Sequence, residues 1–184
     1  TASEVSQKRG KVNWRKLHLD AKQRTVLLEE EGMSVHLGGI GKGAAVDRVT
    51  ALLKARGFSD FTVQAGGDLF CSGKNGARPW RVGVAHPRQK GQLVGSIDVT
   101  DAAFSTSGDY ERFTLIDGVR YHHIIDPSTG YPATASQSAT VLASTATQAE
   151  ILTKTAFILG EEEGLAALER AGAKGLVVNA EGRV

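Results

Sequence analysis

The 184-residue chain is 41% hydrophobic and 23% charged, an ordinary globular composition that excludes a disordered or low-complexity polymer. Its 22 Lys and Arg against 20 Asp and Glu leave a net charge of +2, with no basic patch interleaved with aromatics, which argues against nucleic-acid binding. The single cysteine, Cys71, excludes an internal disulfide framework and a thiolate metal cluster, and no apolar run reaches the roughly 20 residues of a membrane-spanning helix. The opening Thr1-Ala2-Ser3-Glu4-Val5 has no apolar signal segment, and the chain as given is expected to be soluble.

In chain order, residues 1–24 are polar and basic and read as a short helix or a segment resting on a larger neighbour. Residues 25–28 and 33–37 flank Glu29-Glu30-Glu31-Gly32 and predict a hairpin. The chain then enters Gly38-Gly39-Ile40-Gly41-Lys42-Gly43, after which Ala45, Val46, Val49, Leu52 and Leu53 recur at helical spacing up to the stop at Gly57. A strand over 61–64 runs into Ala65-Gly66-Gly67-Asp68 and is continued by 69–72, and further strands are predicted over 80–85 and 94–99. Ser105-Thr106-Ser107-Gly108-Asp109 reads as a hydroxyl-rich turn, and 110–116 pairs through Asp117-Gly118 with 120–125 as a hairpin. Residues 138–143 form a strand; Thr145 then starts a helix ending at Gly160, 165–170 is a second helix, and 175–179 is a last strand. No repeat or linker divides the chain. The expected fold class is α+β, one domain over 1–184 with a mixed, mostly antiparallel sheet and packed helices.

A glycine-rich turn that opens a helix is a ready anion site, because unpaired backbone N–H groups and the helix dipole converge where glycine lets a ligand approach. Gly41 and Gly43 supply that backbone, and Lys42 adds a positive charge. The loop is not a Walker A motif, since Gly43 follows Lys42 and His36 stands where its first glycine is required. Gly39-x-Gly41-x-x-Ala44 fits a relaxed dinucleotide fingerprint with Asp68 as its acid, yet the antiparallel hairpins downstream are poor context for a nicotinamide domain.

Tyr121-His122-His123-Ile124-Ile125 alternates on a strand, so only one histidine can face a given site. Asp126-Pro127-Ser128-Thr129 then reads as a type I turn with Gly130 at positive φ, which would hold the strand end rigidly. A phosphate-ready loop, an acid in a Gly-Gly-Asp turn and a histidine at a rigid strand end suit transfer or hydrolysis of a nucleotide phosphate.

These motifs, from Gly38 to Arg48, Gln64 to Asp68, Ser105 to Tyr110 and His123 to Pro132, resemble in order and spacing the ApbE family of FAD:protein FMN transferases, over roughly residues 30–184. The resemblance implies an enzyme that splits FAD and attaches FMN through a phosphoester to a Thr or Ser of a target protein, with magnesium, in the periplasm or cell envelope. Any membrane association would be indirect, through the acceptor or an N-terminal anchor. It implies His123 as general base, Lys42 at the FAD phosphates and the backbone near Ile125 lining the flavin pocket. The implied metal ligands are the Gly39 carbonyl, Glu150 and Thr153.

Two departures stand out. The family's usual acid at position 36 is His36, and the Thr of its metal motif aligns with Lys154. Glu150 and Lys154, four residues apart, read either as a helix-surface ion pair or as a buried pair in which Lys154 replaces the cation. The family's N-terminal segment is not found in residues 1–24. A non-catalytic FAD-binding relative and an FAD pyrophosphatase releasing FMN and AMP are the alternatives.

Overall fold

The computed structural model describes residues 1–184. Helix α1 (Ala2–Arg9) starts at a capping box between Thr1 and Glu4, buries no residue, and is tied to the rest by the Arg9 guanidinium, which donates to the Ser128 carbonyl at 2.7 Å. Strand β1 (Leu17–Asp20) pairs with β2 (Thr25–Leu28), because Asp20 closes the turn by accepting the N–H groups of Lys22 and Gln23 at 2.9 and 2.8 Å. The strand at 25–28 therefore pairs backward. Residues 33–37 form no strand, and the predicted hairpin across Glu29–Gly32 is corrected.

A 3₁₀ turn, Leu37–Gly39, leads into α2 (Gly41–Ala55), so the glycine loop is itself the helix's first turn. Only a narrow face of α2 is buried, at Gly43, Val46 and Thr50, while Val49 and Leu52, two of the apolar positions at helical spacing, stay exposed. Strands β3 (Phe61–Ala65) and β4 (Asp68–Ser72) form a hairpin reversed at Gly66, whose φ is +61°. Residues 69–72 thus return alongside the strand they were expected to continue.

β5 (Trp80–Ala85) and β6 (Leu93–Val99) make a separate hairpin. β7 (Ala102–Gly108) takes in most of the predicted hydroxyl-rich turn. Its Ala103, Phe104 and Ser105 are buried, and its hydroxyls find partners across the sheet, which lets a polar run form an inner strand. β8 (Phe113–Ile116) and β9 (Val119–His122) turn through Asp117 and Gly118, both at positive φ, as a type I′ hairpin requires. The remaining elements are β10 (Ser136–Ala143), α3 (Ala146–Leu159), α4 (Glu161–Arg170) and β11 (Lys174–Asn179).

The central sheet has the order β11-β10-β7-β4-β3 with every neighbouring pair antiparallel, in agreement with the expected α+β class. Helices α2, α3 and α4 pack on it, and α3 lies across β4, β7 and β10. Ala146, Ala149, Ala156 and Phe157 of α3 are fully buried against Phe70, Ala103, Ala139 and Val141 of the strands. Phe104, Leu142 and Leu176 alternate to the other side and, with Val84, Val94 and Ile97 of the β5–β6 hairpin, line an apolar groove of about 370 Å³.

The close approach of α2 to α3 depends on Gly43. A Cβ there would stand 2.5 Å from the Ala146 carbonyl oxygen and 2.8 Å from the Thr147 Cα, both backbone atoms that cannot swing aside. Gly43→Ala is expected to lower stability by about 1–3 kcal/mol in thermal or denaturant unfolding. Gly41→Ala, whose Cβ would meet nothing within 4 Å, is the matched control and should leave stability nearly unchanged. Cys71 on β4 is fully buried, and loss of hydration pushes its thiol pKa up to about 11. It should resist a thiol reagent at pH 8 until the chain is denatured; rapid labelling of the native chain would contradict this packing.

Candidate functional site

Four charges meet where the first turn of α2, the start of β4 and the middle of α3 converge. Asp68 follows the Gly66-Gly67 reversal, is buried, and accepts the Ser105 hydroxyl of β7 at 2.5 Å. The Lys42 ammonium reaches Asp68 Oδ2 at 2.8 Å and also bonds Glu150 Oε1. The other Glu150 oxygen, Oε2, accepts the Gly43 N–H at 2.7 Å. One turn along α3, the Lys154 Nζ lies 3.0 Å from the Glu150 carbonyl oxygen and 3.4 Å from its Oε1. Glu150 is completely buried, so the pair with Lys154 is not a surface ion pair.

The electrostatics follow from this geometry. Burial pushes Glu150 toward the protonated form, but the Lys42 bond, the Gly43 N–H and the Lys154 charge outweigh it and hold the carboxyl below its ordinary range. Burial pulls Lys42 down, yet its bonds to Asp68 and Glu150 leave it raised. For Lys154 burial wins: despite the attraction of Glu150, desolvation and repulsion from Lys42 hold its pKa below the usual lysine value.

Asp47 of α2 was not singled out as a site residue by its sequence, yet it staples the two helices. Its carboxylate accepts the N–H groups of Ala146 and Thr147 at 2.7 and 2.9 Å and the Thr147 hydroxyl at 2.6 Å. A carboxylate on those orphan donors complements the α3 dipole and stabilises by about 1–2 kcal/mol. Only the tertiary approach of α2 brings it there, and a helical Asp in isolation carries no such signal. Arg88 and Asp109 were missed for the same reason. They form a two-bond ion pair, at 2.7 and 2.6 Å, between the loop after β5 and the end of β7.

The histidine pair divides as alternation requires. His122 is buried, accepts the Ile124 N–H on Nδ1 at 3.2 Å, and therefore carries its proton on Nε2, which donates to the Ala133 carbonyl at 2.9 Å. Its ring meets Phe157 of α3 edge-on at 5.5 Å. His123 is exposed just past the end of β9, which stops at His122 and not at residue 125. Its Nδ1 faces the Arg112 carbonyl at 3.3 Å; a carbonyl only accepts, so Nδ1 is the donor and the Nε2 lone pair is left open. The Asp126 turn forms as expected: Gly130 and Thr129 donate to the Asp126 carbonyl at 2.8 and 3.2 Å, and Gly130 has φ +78°.

Of the expected site residues, Lys42, Gly43, Asp68 and Glu150 share the charged cluster, and Gly41 lies one residue before Lys42 with open space beside it. Gly39 joins them through the Lys154 side chain, whose Cδ and Cε would lie 3.5 Å from a Cβ at Gly39. His36 caps the 3₁₀ turn, Nδ1 accepting the Gly38 N–H at 3.1 Å, as a carboxylate oxygen would. His123 and the exposed Ile125 make no hydrogen bond or ion pair with the cluster, and are linked to it through His122 and α3. The implied metal ligands do not fit a divalent cation. Both Glu150 oxygens are engaged, two ammonium groups contact Oε1, and the Thr153 hydroxyl is held between the Glu150 carbonyl and Ser107 at 3.0 and 2.8 Å.

The ApbE family's sequence profile matches residues 1–177. The chain belongs to the ApbE family. The match takes in α1 and the β1–β2 hairpin, which carry none of the motifs that begin near residue 30. A FAD:protein FMN transferase of Treponema pallidum is 38% identical over 172 residues, 85% of this chain and 48% of that protein. One from Escherichia coli K12 is 35% identical over 151 residues, 80% of this chain and 43% of that protein. The ApbE protein of Thermotoga maritima superposes with a TM-score of 0.91 at 36% identity, covering 99% of this chain and 60% of its own. The flavin transferase ApbE of Vibrio cholerae does so at 0.84 and 33%, covering 96% and 56%. The chain thus spans about half the length of the curated relatives it matches.

The lowered Glu150 pKa has a sign that can be tested within this ApbE chain. A carboxyl depressed by folding contributes stability that is fully present above its unfolded pKa and is lost as pH falls through the folded value. Glu150→Gln should cost about 1–3 kcal/mol at pH 7, discounted because Lys42 is half exposed. The gap between the two proteins should narrow below about pH 5 in denaturant unfolding. A gap independent of pH would show that the charge on Glu150 is not what stabilises the site.

Proposed function

We propose that this chain carries the phosphoryl-transfer site of an FAD:protein FMN transferase, taking FAD as donor and a Thr or Ser hydroxyl of another protein as acceptor. The observation that carries the reading is the His123 ring: exposed, fixed in direction by its Nδ1 contact to the Arg112 carbonyl, and open at Nε2, the geometry a general base needs. Family membership and the similarity to named flavin transferases support it.

In the proposed step the acceptor oxygen forms a bond to the FMN-side phosphorus of FAD. The pyrophosphate P–O bond breaks, AMP leaves with the electron pair, and His123 Nε2 takes the hydroxyl proton. Lys42, with 47% of its side chain exposed, and the open helix N-terminus at Gly41 would face the pyrophosphate charge. Ile40 at the N-cap offers no side-chain acceptor that would compete for those amides. The divalent ion that the resemblance implies has no part in the step, because the donors at Gly39, Glu150 and Thr153 do not fit it. The proposal includes the cell-envelope location implied by the resemblance, which fractionation of the native protein checks.

Incubation with FAD and an envelope-protein extract separates the readings. AMP release with flavin fluorescence that survives on a denatured acceptor band is the expected result. AMP with free FMN alone would make the chain a pyrophosphatase, and bound FAD without AMP a binding relative. His123→Ala is expected to lower AMP release by about 10²–10⁴-fold while leaving FAD affinity within about threefold, and full activity in that variant would remove His123 as the base.

A further inference from the structure

The Lys154 side chain crosses Gly39 and ends on Glu150, which places its ammonium among the groups expected to ligate a cation. Asp68 and Glu150 are the buried carboxylates there; Asp68 Oδ1 and Oδ2 are taken by the Ser105 hydroxyl and Lys42, and Glu150 has no oxygen free. Oε2 is bonded to the Gly43 N–H, and Oε1 is shared by two ammonium groups. No cluster of three His, Cys, Asp or Glu side chains is disposed for a metal anywhere in the chain. A magnesium ion needs near-octahedral oxygen ligation at about 2.0–2.1 Å, and here it would stand against two positive charges. An ammonium has three N–H groups. Two of those on Lys154 are spent on the Glu150 carbonyl and Oε1, and two of those on Lys42 on Asp68 and Glu150. Each lysine therefore keeps one donor for an outside oxygen.

We propose that Lys154 is a built-in cation: its ammonium takes the place of a divalent ion and, beside Lys42, receives the pyrophosphate oxygens of the substrate, so that FAD binding needs no metal. The proposal rests on the flavin-transferase reading for its ligand, but the assignment of the cation position does not. Four charges that sum to zero among themselves, Lys42 and Lys154 against Asp68 and Glu150, make a stable site before any ligand arrives. A metal in place of Lys154 would leave that site negative until loaded. The Lys154 stem adds rigidity, since it is packed across Gly39 and bonded to its own helix one turn back.

The test begins with the unaltered chain and Mn²⁺, a spectroscopic stand-in for magnesium, titrated by electron paramagnetic resonance without FAD. No binding below about 1 mM is expected, whereas extracellular-type weak sites already bind divalent ions in the 0.1–1 mM range. Lys154→Thr combined with Glu150→Asp should gain at least tenfold in Mn²⁺ affinity, with thermal unfolding used to confirm that the variant folds. Micromolar binding by the unaltered chain would overturn the assignment whatever the variant does. FAD affinity, followed by flavin fluorescence, should be equal within about twofold in EDTA and in magnesium, whereas an increase above tenfold with magnesium would also overturn it. If FAD binds in neither condition, the flavin-transferase reading fails, while the Mn²⁺ titration still decides what Lys154 does.

Discussion

The fold and the site share one buried carboxylate. Glu150 has no solvent exposure, and an ionised carboxyl in that position is tolerated only if every lone pair is met. The requirement is satisfied from three directions: by a backbone N–H of α2, by Lys42 from the same helix turn, and by Lys154 from its own helix. Gly43 must lack a side chain for the first contact to form, and in the second the Lys42 ammonium serves Glu150 and Asp68 together. Removing either lysine leaves the site with a net negative charge in the interior, and losing the Gly43 N–H leaves Glu150 Oε2 without its donor, so α2, α3 and β4 are held in one arrangement by electrostatics as well as by packing.

Asp47 shows the same logic one turn further along α2. Its carboxylate meets the N-terminus of α3, so two acid–helix contacts fix the crossing of these helices. Apolar burial supplies the bulk of the driving force through Phe157, Val46 and the small alanines of α3, but it is non-directional. The polar contacts select one alignment among those the alanines would permit. In that alignment the Lys42 ammonium stands beside the first turn of α2, between Asp68 and Glu150.

The two adjacent histidines do separate work. His122 has both ring nitrogens engaged and rests on Phe157, three residues beyond Lys154 on α3. It fastens the end of β9 to the helix that carries the charged cluster. His123, on the other side of the chain, is left exposed with one nitrogen oriented by the Arg112 carbonyl. A positioned but accessible imidazole is thus obtained by burying its neighbour, and the Asp126 turn locks the backbone beyond it.

Much of this was legible in the sequence wherever the signal is local. Helical spacing, the Thr145 cap, the stop at Gly57, the Asp126-Pro127 turn and the alternation around His122 and His123 depend on residues a few positions apart, and the structure carries each of them. The glycine loop and the acid at 68 were visible as chemistry for the same reason, whereas Glu150 was singled out only through the family resemblance. What sequence could not decide were pairings across distance. The strand at 25–28 turned back to 17–20, the hydroxyl-rich run at 105–109 became an inner strand, and Asp47 met a helix about 100 residues away. The choice between a surface pair and a buried pair for Glu150 and Lys154 was of the same kind. Spacing of four on a helix makes the contact possible, but only the packing of α2 over α3 removes water from it, and that desolvation turns an ordinary ion pair into the charged centre of the site.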